Sequence, residues 1–282
     1  MLDVVLDLFG QEAWLYLAGS LLLAVIGSNV AWLFRKPRLG ALGEMVARFA
    51  VTPFAAYLFQ LLRLFYYLGV PFAALFWGQD AVVARILGLQ PLIIPLSGER
   101  HLWNSVSANW LGWVRDAGWL AAMGVVGLAG LALVGYSYRR ALAATGLKEE
   151  AINVIGLDRS ASELLFEAAY HEVHWAFYRN APVLWLQRYV SEGMYWGVWL
   201  GLVLVAFEAA LNPFWRQGIA DRSKAPMLLM RGGWALVSAV FFLVTQNLCL
   251  AIVLHWGVSW GWTALMRQCF SSRTPEPDRS TI

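Results

Sequence analysis

Runs of apolar residues long enough to cross a bilayer recur from one end of this 282-residue chain to the other, and that recurrence leaves few folds open. A helix needs about 20 mostly apolar residues to span the hydrocarbon core. Seven such segments can be drawn, at 12–34, 46–78, 108–136, 160–182, 189–213, 230–246 and 248–266. Backbone polar groups in lipid must be satisfied within the chain, so spans of this length are helices. The expected fold is all-α, a polytopic transmembrane helical bundle of about seven spans, within a range of about six to eight. Composition agrees, since only 14% of residues are charged, against about 25% in ordinary soluble domains. Sixteen Trp and ten Tyr suit the headgroup level, where amphipathic rings settle, and that many Trp can also line a cavity.

Basic residues orient the set. Arg35, Lys36 and Arg38 follow the first span, Arg139, Arg140 and Lys148 the third, Arg216, Arg222, Lys224 and Arg231 the fifth, and Arg267 and Arg273 the seventh. Every second connection is basic, which places the amino terminus outside and the carboxyl terminus in the cytoplasm. The net charge of +3 is therefore a topology signal, and no nucleic-acid motif accompanies it. Residues 46–78 are too long for one simple span. They form either a tilted helix kinked at Pro53 or Pro71, or a helix followed by an interfacial piece. Segment 79–107, with Pro91 and Pro95, is expected to be irregular or to lie along the outer interface, and the polar tail 267–282 to be disordered. Cys249 and Cys269 match no metal or redox spacing. The acidic amino terminus lacks the basic region of a signal peptide, so the first apolar run is expected to stay as a membrane helix.

Against this apolar background, "LLFEAAYHEVHWAFYRN" at 164–180 is costly. On a helix, Glu163, Glu167, His171, His174 and Tyr178 share one face, with Glu172 and Arg179 on a neighbouring one. Ionisable groups at bilayer depth cost at least about 2.5–3.5 kcal/mol, so they normally face a bundle interior or a wet cavity. The first part of the stripe also reads as interfacial, beginning near Arg159. Glu208 and His255 are further expensive groups in two other spans, and a shared cavity explains all three. His and Glu are ordinary ligands of a catalytic zinc, which makes His171, His174, Glu208 and His255 a candidate ligand set. The spacing is not that of the HExxH zinc proteases.

The order of these elements is similar to the CPBP family of intramembrane proteases, which includes the CAAX prenyl endopeptidases and bacteriocin-processing proteins. That family's pattern is Glu-Glu-x3-Arg, then Phe-x3-His, then His-x3-Asn or a related small polar residue. "NLCLAIVLHWGVSWG" resembles the last element, with His255 as its histidine and Ser259 in the Asn position. "AFEAALNP" resembles the second, with Phe207 at its start but Leu211 in place of the histidine. "HEVHWAFYRN" fits the first in two registers, one with His171 and Glu172 over the Glu pair, the other with Arg179 as the arginine. The resemblance implies an N-terminal region of spans at 1–159, a membrane core at 160–266, and a bacterial inner (plasma) membrane as the setting.

It also implies peptide hydrolysis by glutamate-activated water, with Glu172 or Glu167 as base and His255 with His171 or His174 stabilising or ligating; zinc, for which these residue types are ordinary ligands, is the candidate cofactor. The implied partners are the lipid bilayer, a hydrophobic peptide or membrane-embedded substrate, and a membrane-protein partner, with no nucleic acid. The alternative is a catalytically inactive scaffold or subunit that binds a lipid, quinone, pigment or partner helix, as the missing histidine at Leu211 suggests. A transporter or proton pathway would use the same ionisable groups, but no repeated halves support it.

Overall fold

The computed structural model describes residues 2–34, 40–71, 102–145, 159–221 and 224–271. These form nine helices and no strand: α1 (Leu2–Phe34), α2 (Gly40–Ala50), α3 (Pro53–Leu64), α4 (Leu102–Thr145), α5 (Ala161–Leu186), α6 (Gly193–Leu211), α7 (Pro213–Ala220), α8 (Ala225–Thr245) and α9 (Leu248–Ser271). The fold is a transmembrane helical bundle. Stretches of α1, α4, α6, α8 and α9 are each long and apolar enough to span, and the bent pair α2–α3 adds a sixth. α5 is too polar to pass that test, yet its 26 residues reach about 39 Å. It runs antiparallel to α6.

Several boundaries differ from expectation. The second apolar segment is broken rather than merely tilted, with α2 and α3 meeting at 84°. Thr52 caps α3, its Oγ1 accepting from the Ala55 N–H at 3.2 Å, and Pro53 occupies the first helical position. Such a cap followed by proline starts a new helix and stops the old one. Beyond α3 the chain widens into a π turn over Phe65–Gly69, where Pro71 has no N–H for the carbonyl four residues back. Residues 102–107, expected to be irregular, belong to α4, and α9 runs to Ser271, past the expected end of the core at 266. The remainder of the 79–107 segment and tail residues 272–282 lie outside the described residues.

α5 occupies the centre. Ser160 and Glu163 form a reciprocal capping box at its start, which removes Glu163 from the expected inward stripe and makes it a helix cap. The Trp256 indole donates to the Ala161 carbonyl at 2.9 Å, and Arg267 donates to the Arg159 carbonyl at 3.0 Å, so α9 pins the same end. α6 approaches through Gly193, Gly197 and Gly201. A Cβ on them would lie 2.3 Å from Gln187 N, 2.5 Å from Val183 Cα and 2.7 Å from Arg179 Cα respectively. The falling partner numbers define an antiparallel contact, and spacing by four keeps the glycines on one face. In lipid, where apolar surface gains little by leaving the solvent, small residues permit backbone contact that holds helices together.

Gly197→Ala should therefore lower stability by about 1–3 kcal/mol, as overpacking does. Gly257→Ala, where nothing lies within 4 Å of the added carbon, should be neutral or gain up to about 1 kcal/mol from helix propensity. Unfolding of the detergent-purified variants, followed by circular dichroism, checks the contrast.

Candidate functional site

From α5 outward, the polar residues sort into three groups. At its first turns Glu167 receives both arms of Arg63 from α3, each at 2.6 Å. Arg159, Arg231 and His171 stand farther off, at 3.8, 3.9 and 3.9 Å. Such a two-armed pairing fixes both oxygens, and the Arg63 guanidinium also lies over the Tyr170 ring at 5.1 Å.

Deeper in, Glu172 is 1% exposed. His255 Nδ1 from α9 meets its Oε1 at 3.1 Å, Ser238 Oγ from α8 donates to Oε2, and Arg179 Nη1 donates to Ser238 Oγ at 3.0 Å. Arg179 lies over Phe242 at 4.5 Å. The His255 ring is sandwiched by Trp234 at 4.6 Å, with Trp175 at 5.7 Å and His171 at 6.0 Å also parallel to it. The crevice against Glu172, Ser238, Ala251 and His255 has no room for a water. A carboxylate, a hydroxyl, a guanidinium and an imidazole are thus linked in one buried chain, in which Arg179 donates through Nη1 while its Nε and Nη2 have no hydrogen-bond partner among the described residues. His255 also borders a cavity of about 70 Å³ together with Glu167, His171, Arg231 and Ser259.

The third group borders open space. His174 Nε2 lies 2.7 Å from Glu208 Oε2, and the Tyr66 hydroxyl donates to Glu208 Oε1 at 2.9 Å. The π turn after α3 delivers Tyr66 and Tyr67, with the Tyr67 ring 5.0 Å from that of His174. Glu208 and His174 line a cavity of about 330 Å³ between α5, α6, α7 and α8, shared with His171, Trp215, Arg216 and Arg231. Among the described residues His174 Nδ1 has no hydrogen-bond partner. Glu208 accepts two hydrogen bonds and, as a carboxylate with about four acceptor sites, keeps capacity for a water.

The candidate residues thus come together as pairs and not as one centre. Glu172 joins His255, Glu208 joins His174, and His171 sits between, bordering both cavities. Zinc needs three protein donors around one point, and among the described residues no group of three or more His, Cys, Asp or Glu could hold a metal ion. The donors among the described residues do not fit zinc. Sequence reasoning passed over Arg63, Tyr66, Tyr67, Ser238, Trp234 and the cavity role of Arg231. Arg63, a lone charge in "FQLLRLFYYLG", carried the same cost signal as Glu208. Ser238 carried none, since a hydroxyl in an apolar span is common.

These features define a polytopic helical membrane protein with a polar interior and a cavity of about 330 Å³ beside a His–Glu pair. Set against known protein families, curated proteins and solved structures, the chain gives no match.

Removing one partner of a buried ionic group leaves the others uncompensated, at a cost of about 3–5 kcal/mol. Glu172→Ala should lose that much stability, and Glu172→Ala with Arg179→Met should recover part of it. The unfolding midpoints of the single and double variants test this coupling.

Proposed function

We propose that the protein is an intramembrane hydrolase resembling the CPBP proteases, with Glu208 as its base. The observation that carries this reading is that Glu208, held by His174 and Tyr66, borders the larger cavity, whereas Glu172 faces a crevice without room for water. A base must reach the water it activates, so the role that the resemblance gave to Glu172 or Glu167 passes to Glu208. Glu167 is already occupied by Arg63.

In the reaction, Glu208 takes a proton from a water in the cavity while the water oxygen bonds to the acyl carbon of a peptide bond. His171, which lines the same cavity, is a donor available to the oxyanion, the kind of preorganised hydrogen bond that contributes most to acyl transfer. When the carbon–nitrogen bond breaks, Glu208 returns the proton to the departing amine, and one water has been added across the bond. His174 orients Glu208 and shares its charge. The substrate is a hydrophobic or membrane-embedded peptide, and a bacterial inner membrane with the carboxyl terminus in the cytoplasm fits the basic connections.

The buried Glu172–His255 pair favours a second reading. Groups at the positions most like the family's motifs serve here to hold α5, α8 and α9 together, as in a scaffold or subunit that keeps the fold without the reaction.

Proteoliposomes incubated with a bacterial membrane extract, followed by mass spectrometry of new peptide termini, separate the two readings. Wild type should generate cleavage sites that Glu208→Gln reduces by about 10²–10⁴-fold, the usual weight of a general base. Identical termini from wild type and Glu208→Gln, with both folded, would leave the scaffold.

A further inference from the structure

The larger cavity also carries a different chemistry, supplied by α7 and α8. Trp215, Arg216 and Ile219 of α7 form part of its wall, and Arg231 of α8 borders it as well. α7 is eight residues long, begins at Pro213 directly after the α6 span, and ends shortly before the α8 span. It therefore lies where the chain turns at the membrane surface, at the depth of lipid headgroups, and its Trp, Arg and Ile are the mixture that settles there.

The charges at this mouth do not balance locally. Arg231 reaches Glu167 only at 3.9 Å, and Arg63 already holds both Glu167 oxygens at 2.6 Å. With Arg159 at 3.8 Å, three guanidinium groups share one carboxylate. Arg216 is exposed and has no ion pair among the described residues. The cavity's own acid, Glu208, is engaged by His174 and Tyr66. Excess positive charge thus borders a space whose other walls include Leu202, Val205 and Ala235.

We propose that this cavity holds the headgroup phosphate of an anionic phospholipid, with Arg216 and Arg231 as its ligands and one acyl chain entering along the apolar wall. Guanidinium is suited to phosphate because its planar fork donates two parallel hydrogen bonds and is weakly hydrated. About 330 Å³ is near the lower limit for a drug-sized ligand, so the headgroup and proximal chain enter while the rest stays in the bilayer. The assignment does not depend on Glu208 acting as a base.

The test is native mass spectrometry of the full chain released from mixed phosphatidylglycerol and phosphatidylcholine micelles. Wild type should retain phosphatidylglycerol over phosphatidylcholine by about tenfold, a difference of about 1.4 kcal/mol. Arg216→Gln with Arg231→Gln should abolish that preference, whereas Arg216→Lys with Arg231→Lys should keep part of it and Lys224→Gln all of it. Circular dichroism confirms that each variant is folded. No preference in wild type, or an equal loss in Lys224→Gln, would overturn the assignment, since diffuse surface charge would then explain any retention. Displacement of the lipid by millimolar inorganic phosphate would also overturn it, by making the site one for free anions. Because no bond is cleaved in this measurement, its failure leaves hydrolysis at Glu208 standing, and the converse holds.

Discussion

The bundle depends on the need to satisfy α5. This helix carries Glu167, His171, Glu172, His174 and Arg179 into an apolar environment where each unpaired charge costs several kcal/mol. Four neighbours supply partners: α3 brings Arg63 to Glu167, α6 brings Glu208 to His174, α8 brings Ser238 to Glu172 and Arg179, and α9 brings His255 to Glu172. The glycines at 193, 197 and 201 let α6 lie backbone to backbone with α5, which is what brings Glu208 within reach of His174.

Satisfying the charges does not fill the interior evenly. Around Glu172 the partners and the stacked rings of Trp234 and Trp175 close the space, and the ionic cluster acts as a fastening. Around Glu208 the short α7 and the turn into α8 leave room. Two chemically similar carboxylate–histidine pairs thus differ in their surroundings: Glu208 and His174 both line the cavity of about 330 Å³, whereas the crevice at Glu172 has no room for water and only His255 of that pair reaches the smaller cavity of about 70 Å³. The hydrolase proposal rests on that difference, not on the residue types.

Hydropathy made the bundle legible, since long apolar runs admit only one regular structure in lipid. The expected span at 160–182 became α5, a helix too polar to count as a span by hydropathy, and the cost of its charges pointed to α6 and α9, which supply Glu208 and His255 to it. Helical periodicity misled at Glu163, because the Ser160 cap takes its side chain, and at Glu172, which a single-face view set apart from the histidines. In a central helix every face has a neighbour, so one polar stripe cannot define the interior. The partners from α3 and α8 were hidden for a plainer reason. Arg63 and Glu167 are 104 residues apart, and Ser238 and Glu172 are 66 apart, so no local pattern links them.

The account turns on one side of the core being wet and the other dry. Thiol accessibility measures this directly, in a chain whose Cys249 and Cys269 are replaced by alanine. Ala209→Cys borders the larger cavity beside Glu208, and Ala251→Cys borders the filled crevice beside Glu172 and His255. A small water-soluble methanethiosulfonate reagent applied to the folded protein in a bilayer should modify position 209 and leave position 251 unmodified. Protection at 209, or equal reaction at both positions, would contradict the division of the core on which the hydrolase reading rests.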